Sequence, residues 1–140
     1  AKIADNTITL SKFSAATGEL NGAWTDWDDA SIPSCNADWR GKYMKIGRTL
    51  MFTGEFYNSG NGATTTAATY LYVNLPSGFE AITGWPQGVT AMDVLDTISA
   101  RVDPTDTSRI QVAADLSGGT FANNTTVTNV RVNGTILLAG

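Results

Sequence analysis

The stretch "GKYMKIGRTLMFTGEFY", residues 41–57, decides the fold. In its second half Leu50, Phe52, Gly54 and Phe56 alternate with Met51, Thr53, Glu55 and Tyr57, the period of a pleated strand. Gly47-Arg48 separates this run from 41–47 by the length of a tight hairpin turn. The stretch therefore reads as two antiparallel strands.

Working outward, "ATYLYVNLP" (68–76) is a strand stopped by Pro76-Ser77-Gly78, and "RIQVAA" (109–114) alternates Ile110, Val112 and Ala114. "VTNVRVNGTILLA" (127–139) puts Val130, Val132, Ile136 and Leu138 on one face. "GVTAMDVLDTISARV" (88–102) fits a helix or a strand, and its β-branched Thr90, Val94, Thr97, Ile98 and Val102 favour one strand. "DPTDTS" (103–108) is a turn, while "NSGNGATTTA" (58–67) and "LSGGTFANNTT" (116–126) lack any period and read as exposed loops, the first a long mobile tip. Short strands with Gly-rich turns and no confident helix define the fold class as all-β, an antiparallel β-sandwich of jelly-roll type over residues 21–140. Residues 1–20 are mostly small and polar, and form an extended N-terminal arm or edge strand.

Composition narrows the function. At 140 residues the chain is one domain, and its 14 glycines and 16% charged residues suit an ordered, turn-rich β protein. The net charge of −4, with Lys and Arg scattered, provides no basic stripe for nucleic acid or an anionic membrane surface. No run approaches the roughly 20 apolar residues of a bilayer-crossing helix. There is no histidine, so histidine-dependent triads and the commonest zinc ligand are missing from the chain. Cys35, the sole cysteine, has no basic residue nearer in sequence than Arg40 and reads as a small packed side chain.

One segment invites a chemical reading. "WTDWDDASIPSCNADW" (24–39) holds three of the four tryptophans together with Asp26, Asp28, Asp29 and Asp38. A glycosidase needs two carboxylates facing each other across a substrate, and Asp26, Asp28 and Asp29 are too close in sequence for that. Calcium would need the spaced acids and turn glycine of an EF-hand loop. The expectation is that the tryptophans pack at a domain edge or subunit contact while the aspartates stay solvated. No catalytic residue, metal or cofactor is assigned, and the chain is read as a non-enzyme.

Two strands are apolar on both sides. Tyr70 and Tyr72 stand opposite Leu71, Val73 and Leu75, and Met51 and Tyr57 stand opposite Leu50, Phe52 and Phe56. An aromatic patch continuing across both strands would be a subunit contact. In the arm, Ile3, Ile8 and Leu10 could add a strand to a neighbour.

The string Trp39-Arg40-Gly41-Lys42-Tyr43-Met44-Lys45-Ile46-Gly47-Arg48-Thr49-Leu50, followed by Phe52-Thr53-Gly54 and later by Leu75-Pro76-Ser77-Gly78-Phe79, resembles bacteriophage virion β-sandwich domains. Val132-Asn133-Gly134-Thr135-Ile136 is similar to their closing strand, so the likeness spans residues 39 to 138. The resemblance implies a trimer that is structural or binds receptors, with no catalytic residues. Ala1 is read as following a removed initiator Met, which leaves no room for a fibre shaft. The leading expectation is a capsid cement or decoration protein in the virion, a homotrimer held to the major capsid protein or other virion proteins. The alternative is the receptor-binding head domain of a tail fibre, touching a host surface glycan through 58–67 and 116–126. A carbohydrate-binding module stacking sugar on Trp24, Trp27, Trp39 or Trp85 is the third class.

Overall fold

The structure, a computed structural model, describes residues 24–28, 35–58, 60, 62–83 and 87–139. Eight strands follow in order: β1 (Thr25–Asp26), β2 (Asp38–Ile46), β3 (Thr49–Tyr57), β4 (Leu71–Asn74), β5 (Gly88–Asp93), β6 (Asp96–Val102), β7 (Arg109–Val112) and β8 (Val130–Leu137). They pair antiparallel in one curled sheet of order β1-β2-β3-β8-β5-β6-β7-β4. No helix occurs among the described residues. The arm residues Ile3, Ile8 and Leu10 lie outside the described residues, as do Asp29 and Trp85.

The alternation read from the sequence sets the core face. Leu50, Phe52 and Phe56 on β3, Leu71 and Val73 on β4, and Val130, Val132 and Ile136 on β8 all enter one continuous core with Trp27 and Trp39. Burial of this side holds the register, because a one-residue slip would turn every one of these side chains to solvent. Short backbone bridges tie the chain past β4 back across the curl to β8. The Ala81 N–H donates to the Thr107 carbonyl at 2.9 Å and the Ile82 N–H to that of Leu137 at 3.0 Å, so the chain just past β4 reaches the far end of β8.

An aromatic cluster lies over glycines where the sheet bends. Trp39 packs edge-on against Trp27, with centroids 4.9 Å apart, and against Phe56 at 5.1 Å. Gly41 and Gly54 are direct register partners beneath the Trp39 ring, and a Cβ built on Gly54 would meet the ring at 2.1 Å. Phe52 covers Gly134 of β8 in the same way, at 2.6 Å from a built Cβ.

The turns divide into expected and unexpected. Gly47, at φ +60°, opens the two-residue β2–β3 turn anticipated from its sequence. In 103–108 and just beyond β7, one device recurs: Asp103, Asp106 and Asp115 each accept both the backbone N–H and the hydroxyl of the residue two positions on, Thr105, Ser108 and Ser117. The run 88–102, expected as one strand, is instead a hairpin: Asp93 pairs with Asp96, and Val94-Leu95 form the turn. Val94 sits at φ +57°, a region that costs a β-branched residue about 1–2 kcal/mol. A turn without Gly, Asn or Pro at its centre leaves no signal for a reader of sequence. The loop 58–67 is also more anchored than its composition suggests. Thr65 is 2% exposed, donates its hydroxyl to the Ala122 carbonyl at 2.6 Å, and bridges to Cys35, so both Gly/Asn/Thr-rich loops meet.

Asp103 is the one buried acid among the described residues, 1% exposed, and its Oδ2 accepts from Arg109 Nε at 2.5 Å. Burial pushes its carboxyl up, but the Thr105 amide, the Arg109 guanidinium and the Thr105 hydroxyl outweigh that and hold it below the usual carboxylate range. A depressed folded pKa contributes stability that is fully present above the unfolded value of about 3.9 and is lost as pH falls through the folded value. Asp103→Asn should therefore flatten the acid limb of the stability profile and cost about 2–4 kcal/mol at neutral pH, as read by urea denaturation over a pH series. Gly54→Ala, by forcing Trp39 out of its place, should cost about 2–3 kcal/mol. Gly47→Ala, with open space around it and only its backbone strained, should cost about 1 kcal/mol.

Candidate functional site

The face turned away from the core is built in rows, because paired strands set register partners side by side. One row is apolar at its start: Met44 on β2 faces Met51 on β3, which faces Thr135 on β8 and then Gly88 on β5. Met44 is buried although it lies on the outer register. Trp24, just before β1, is 44% exposed and lines an open depression of 320 Å³ with Met51, Thr90, Asn133 and Thr135.

The adjoining rows are polar and interlocked. Lys42 Nζ donates to Asp26 Oδ1 at 2.5 Å, and the Thr53 hydroxyl donates to Asn133 Oδ1 at 2.6 Å. One step along, Arg40 Nε donates to Glu55 Oε1 at 2.7 Å while Arg131 Nε lies 3.5 Å from Glu55 Oε2. The Arg40 guanidinium also rests 4.5 Å from the centre of the Tyr57 ring. All of these side chains except Tyr57 line a groove of 460 Å³ that meets the Trp24 depression at Asn133. The hydrogen bond and the negative charge of Asp26 raise the Lys42 ammonium above its ordinary pKa. Asp28 accepts the Gly41 N–H at 3.3 Å, so each carboxylate named here already holds a donor. Such a surface sets exposed hydrogen-bonding groups beside an aromatic and thioether strip.

The residues expected from sequence fall in two places. Met51 and Tyr57 lie on the outer face of β3, both half-buried. Tyr70 and Tyr72 lie at the opposite end of the sheet. There the Tyr72 ring carries the Arg109 guanidinium at 4.0 Å, and the Tyr70 hydroxyl donates to the Gly118 carbonyl at 2.9 Å. Between β3 and β4 stand β8, β5, β6 and β7, so the tyrosines and Met51 do not form one patch on a single copy.

Of the tryptophans, Trp27 and Trp39 are core residues, and among the described ones Trp24 alone offers a ring face to solvent. Cys35 is half-buried, its thiol pushed up by burial, with Sγ 3.4 Å from the Ala37 N–H. Among the described residues, no group of three or more His, Cys, Asp or Glu is placed to hold a metal ion. Asn133 and Arg131 carry no signal in the sequence as site residues, because their neighbours follow from β8 lying beside β3.

Comparison with protein-family models, curated proteins and solved structures finds no match for this chain. The Asp26–Lys42 pair gives a direct check on the groove. Asp26→Asn should let the Lys42 pKa fall back toward 10.5 in an NMR titration, with the melting temperature unchanged because both side chains are exposed.

Proposed function

We propose that the chain is a structural domain of a virus particle: a capsid cement or decoration protein that acts as a homotrimer on the major capsid protein. The observation that supports this most is the outer strip of Trp24, Met44 and Met51 set beside interlocked charged rows. An apolar centre with a polar rim is the composition of a subunit contact.

In this reading the curl is an antiparallel β-sandwich of jelly-roll type, with β1-β2-β3-β8-β5 as one wall and β6-β7-β4 as the other. Met51 and Tyr57 lie on the first wall, and Tyr70 and Tyr72 on the second. Contact between the first wall of one copy and the second wall of the next is heterologous, and three such contacts close a ring. The arm, through Ile3, Ile8 and Leu10, adds a strand to a neighbour and locks the trimer to the particle.

A second reading is favoured by the groove itself. A Trp24 ring face next to Asn133, Asp26 and Arg40 suits a saccharide, which would make the domain the receptor-binding head of a tail fibre.

Light scattering combined with particle occupancy and glycan retention separates these readings. The purified protein should run as a trimer, and Met51→Asp should reduce it to a folded monomer that no longer occupies particles lacking the wild-type protein. A wild-type monomer that ignores capsids but is retained on a glycan array, with retention lost in Trp24→Ala, would replace the cement reading with the receptor one.

A further inference from the structure

The β5–β6 hairpin tip breaks four local rules at once. Val94 occupies a positive φ that glycine or asparagine fills at no strain. Val94 is 61% exposed and Leu95 85% exposed, at a turn where polar residues are the norm. Asp93 and Asp96 are direct register partners, two like charges facing each other at the base of the turn. Neither is in any of the ion pairs formed by the described residues. Met92, 40% exposed, extends the apolar tip. One event relieves all of these faults except the backbone strain: insertion of the tip into a partly apolar socket that also presents a cation. Sequences that violate local preference at one spot place function there.

At its other end the same chain carries a cavity with an aromatic wall on one side and a cation among polar groups on the other. A cavity of 600 Å³ is lined by Phe79, Gly78 and Ala139 together with Ser108, Glu80 and Lys45. Lys45 Nζ stands 6.0 Å from the Phe79 ring centre and is in no ion pair among the described residues. Arg48 adds a second cation where its Nε donates to the Leu138 carbonyl at 3.1 Å. The tip adjoins Val130, the first residue of β8, while the socket includes Leu138, just past its last. Some eight residues of strand, roughly 25 Å, separate them, so a tip cannot reach its own socket.

We propose that the Val94-Leu95 tip of one copy docks into the Lys45–Phe79–Leu138 socket of a second copy, with Asp93 and Asp96 facing Lys45 and Arg48. The contact is head-to-tail, joins the ends of the curled sheet, and uses none of the wall residues Met51, Tyr57, Tyr70 or Tyr72. It therefore stands whether or not those walls form a trimer. A single hairpin tip is a weak contact, so association is expected only with a dissociation constant on the order of 0.1 mM.

Sedimentation velocity on the purified chain, from about 10 μM to 1 mM, tests it. Wild type should form end-to-end species that grow with concentration and weaken with salt. The double variant Val94→Gly, Leu95→Asn should melt at a higher temperature, because its turn strain is gone, and yet weaken this association at least tenfold. Lys45→Glu should do the same without the gain in melting temperature, and combining it with Asp96→Lys should restore association. Mixing the tip variant with the socket variant should give one contact per pair and no longer species. Association that is absent in wild type, unchanged in both variants, or not recovered by charge exchange or mixing would overturn the proposal. A shift of the smallest species between monomer and trimer bears on the wall contact alone.

Discussion

The fold depends on aromatic rings lying on glycine. Trp39 needs the Gly41–Gly54 pair beneath it, and Phe52 needs Gly134, so three neighbouring strands give up side chains at the places where two large rings must lie flat. A pleated sheet with a Cβ at each of these points would hold the rings away from the backbone and resist bending. With glycine there, the rings fill the inside of the bend and the sheet can curl around one core. Trp27 and Phe56 close over the same spot from either side. The segment 24–28 is therefore held to the sheet by a core contact as well as by the Trp27 N–H bond to the Gly41 carbonyl at 2.7 Å.

That arrangement also sorts the tryptophan-rich lead-in. Trp27 goes inward, Trp24 stays outside, Asp26 pairs with Lys42 of β2, and Asp28 accepts the Gly41 amide. Alternation along a short strand is enough to part them, and the resulting outer surface sets an apolar strip beside charges that already satisfy one another. Charges paired this way add little stability when exposed, but they fix the positions of long side chains and so give the surface a defined shape.

Much of this was legible in the sequence where side chains alternate. The inward sets on β3 and β8, and the Gly47 turn, follow from period and turn chemistry alone. The hairpin within 88–102 did not, because its turn is made of Val and Leu held in a conformation their side chains oppose. The separation of Met51 and Tyr57 from Tyr70 and Tyr72 could not be read either. It is a consequence of strand order, which no local pattern encodes. The anchoring of 58–67 depends on Thr65, whose hydroxyl finds its partner in a loop 57 residues away.

Strand order has a kinetic meaning as well. β8 is the last of the eight strands to leave the ribosome, yet it sits between β3 and β5 and hydrogen-bonds to both. Until it emerges, the early hairpin of β2 and β3 and the later meander of β5, β6 and β7 are two sheets with open edges that no strand joins. Synthesis thus produces a pair of half-built pieces that the final strand zips together. The unpaired edge of β3, rich in Leu, Phe and Met, is the surface that a nascent chain must keep from its neighbours on the same message.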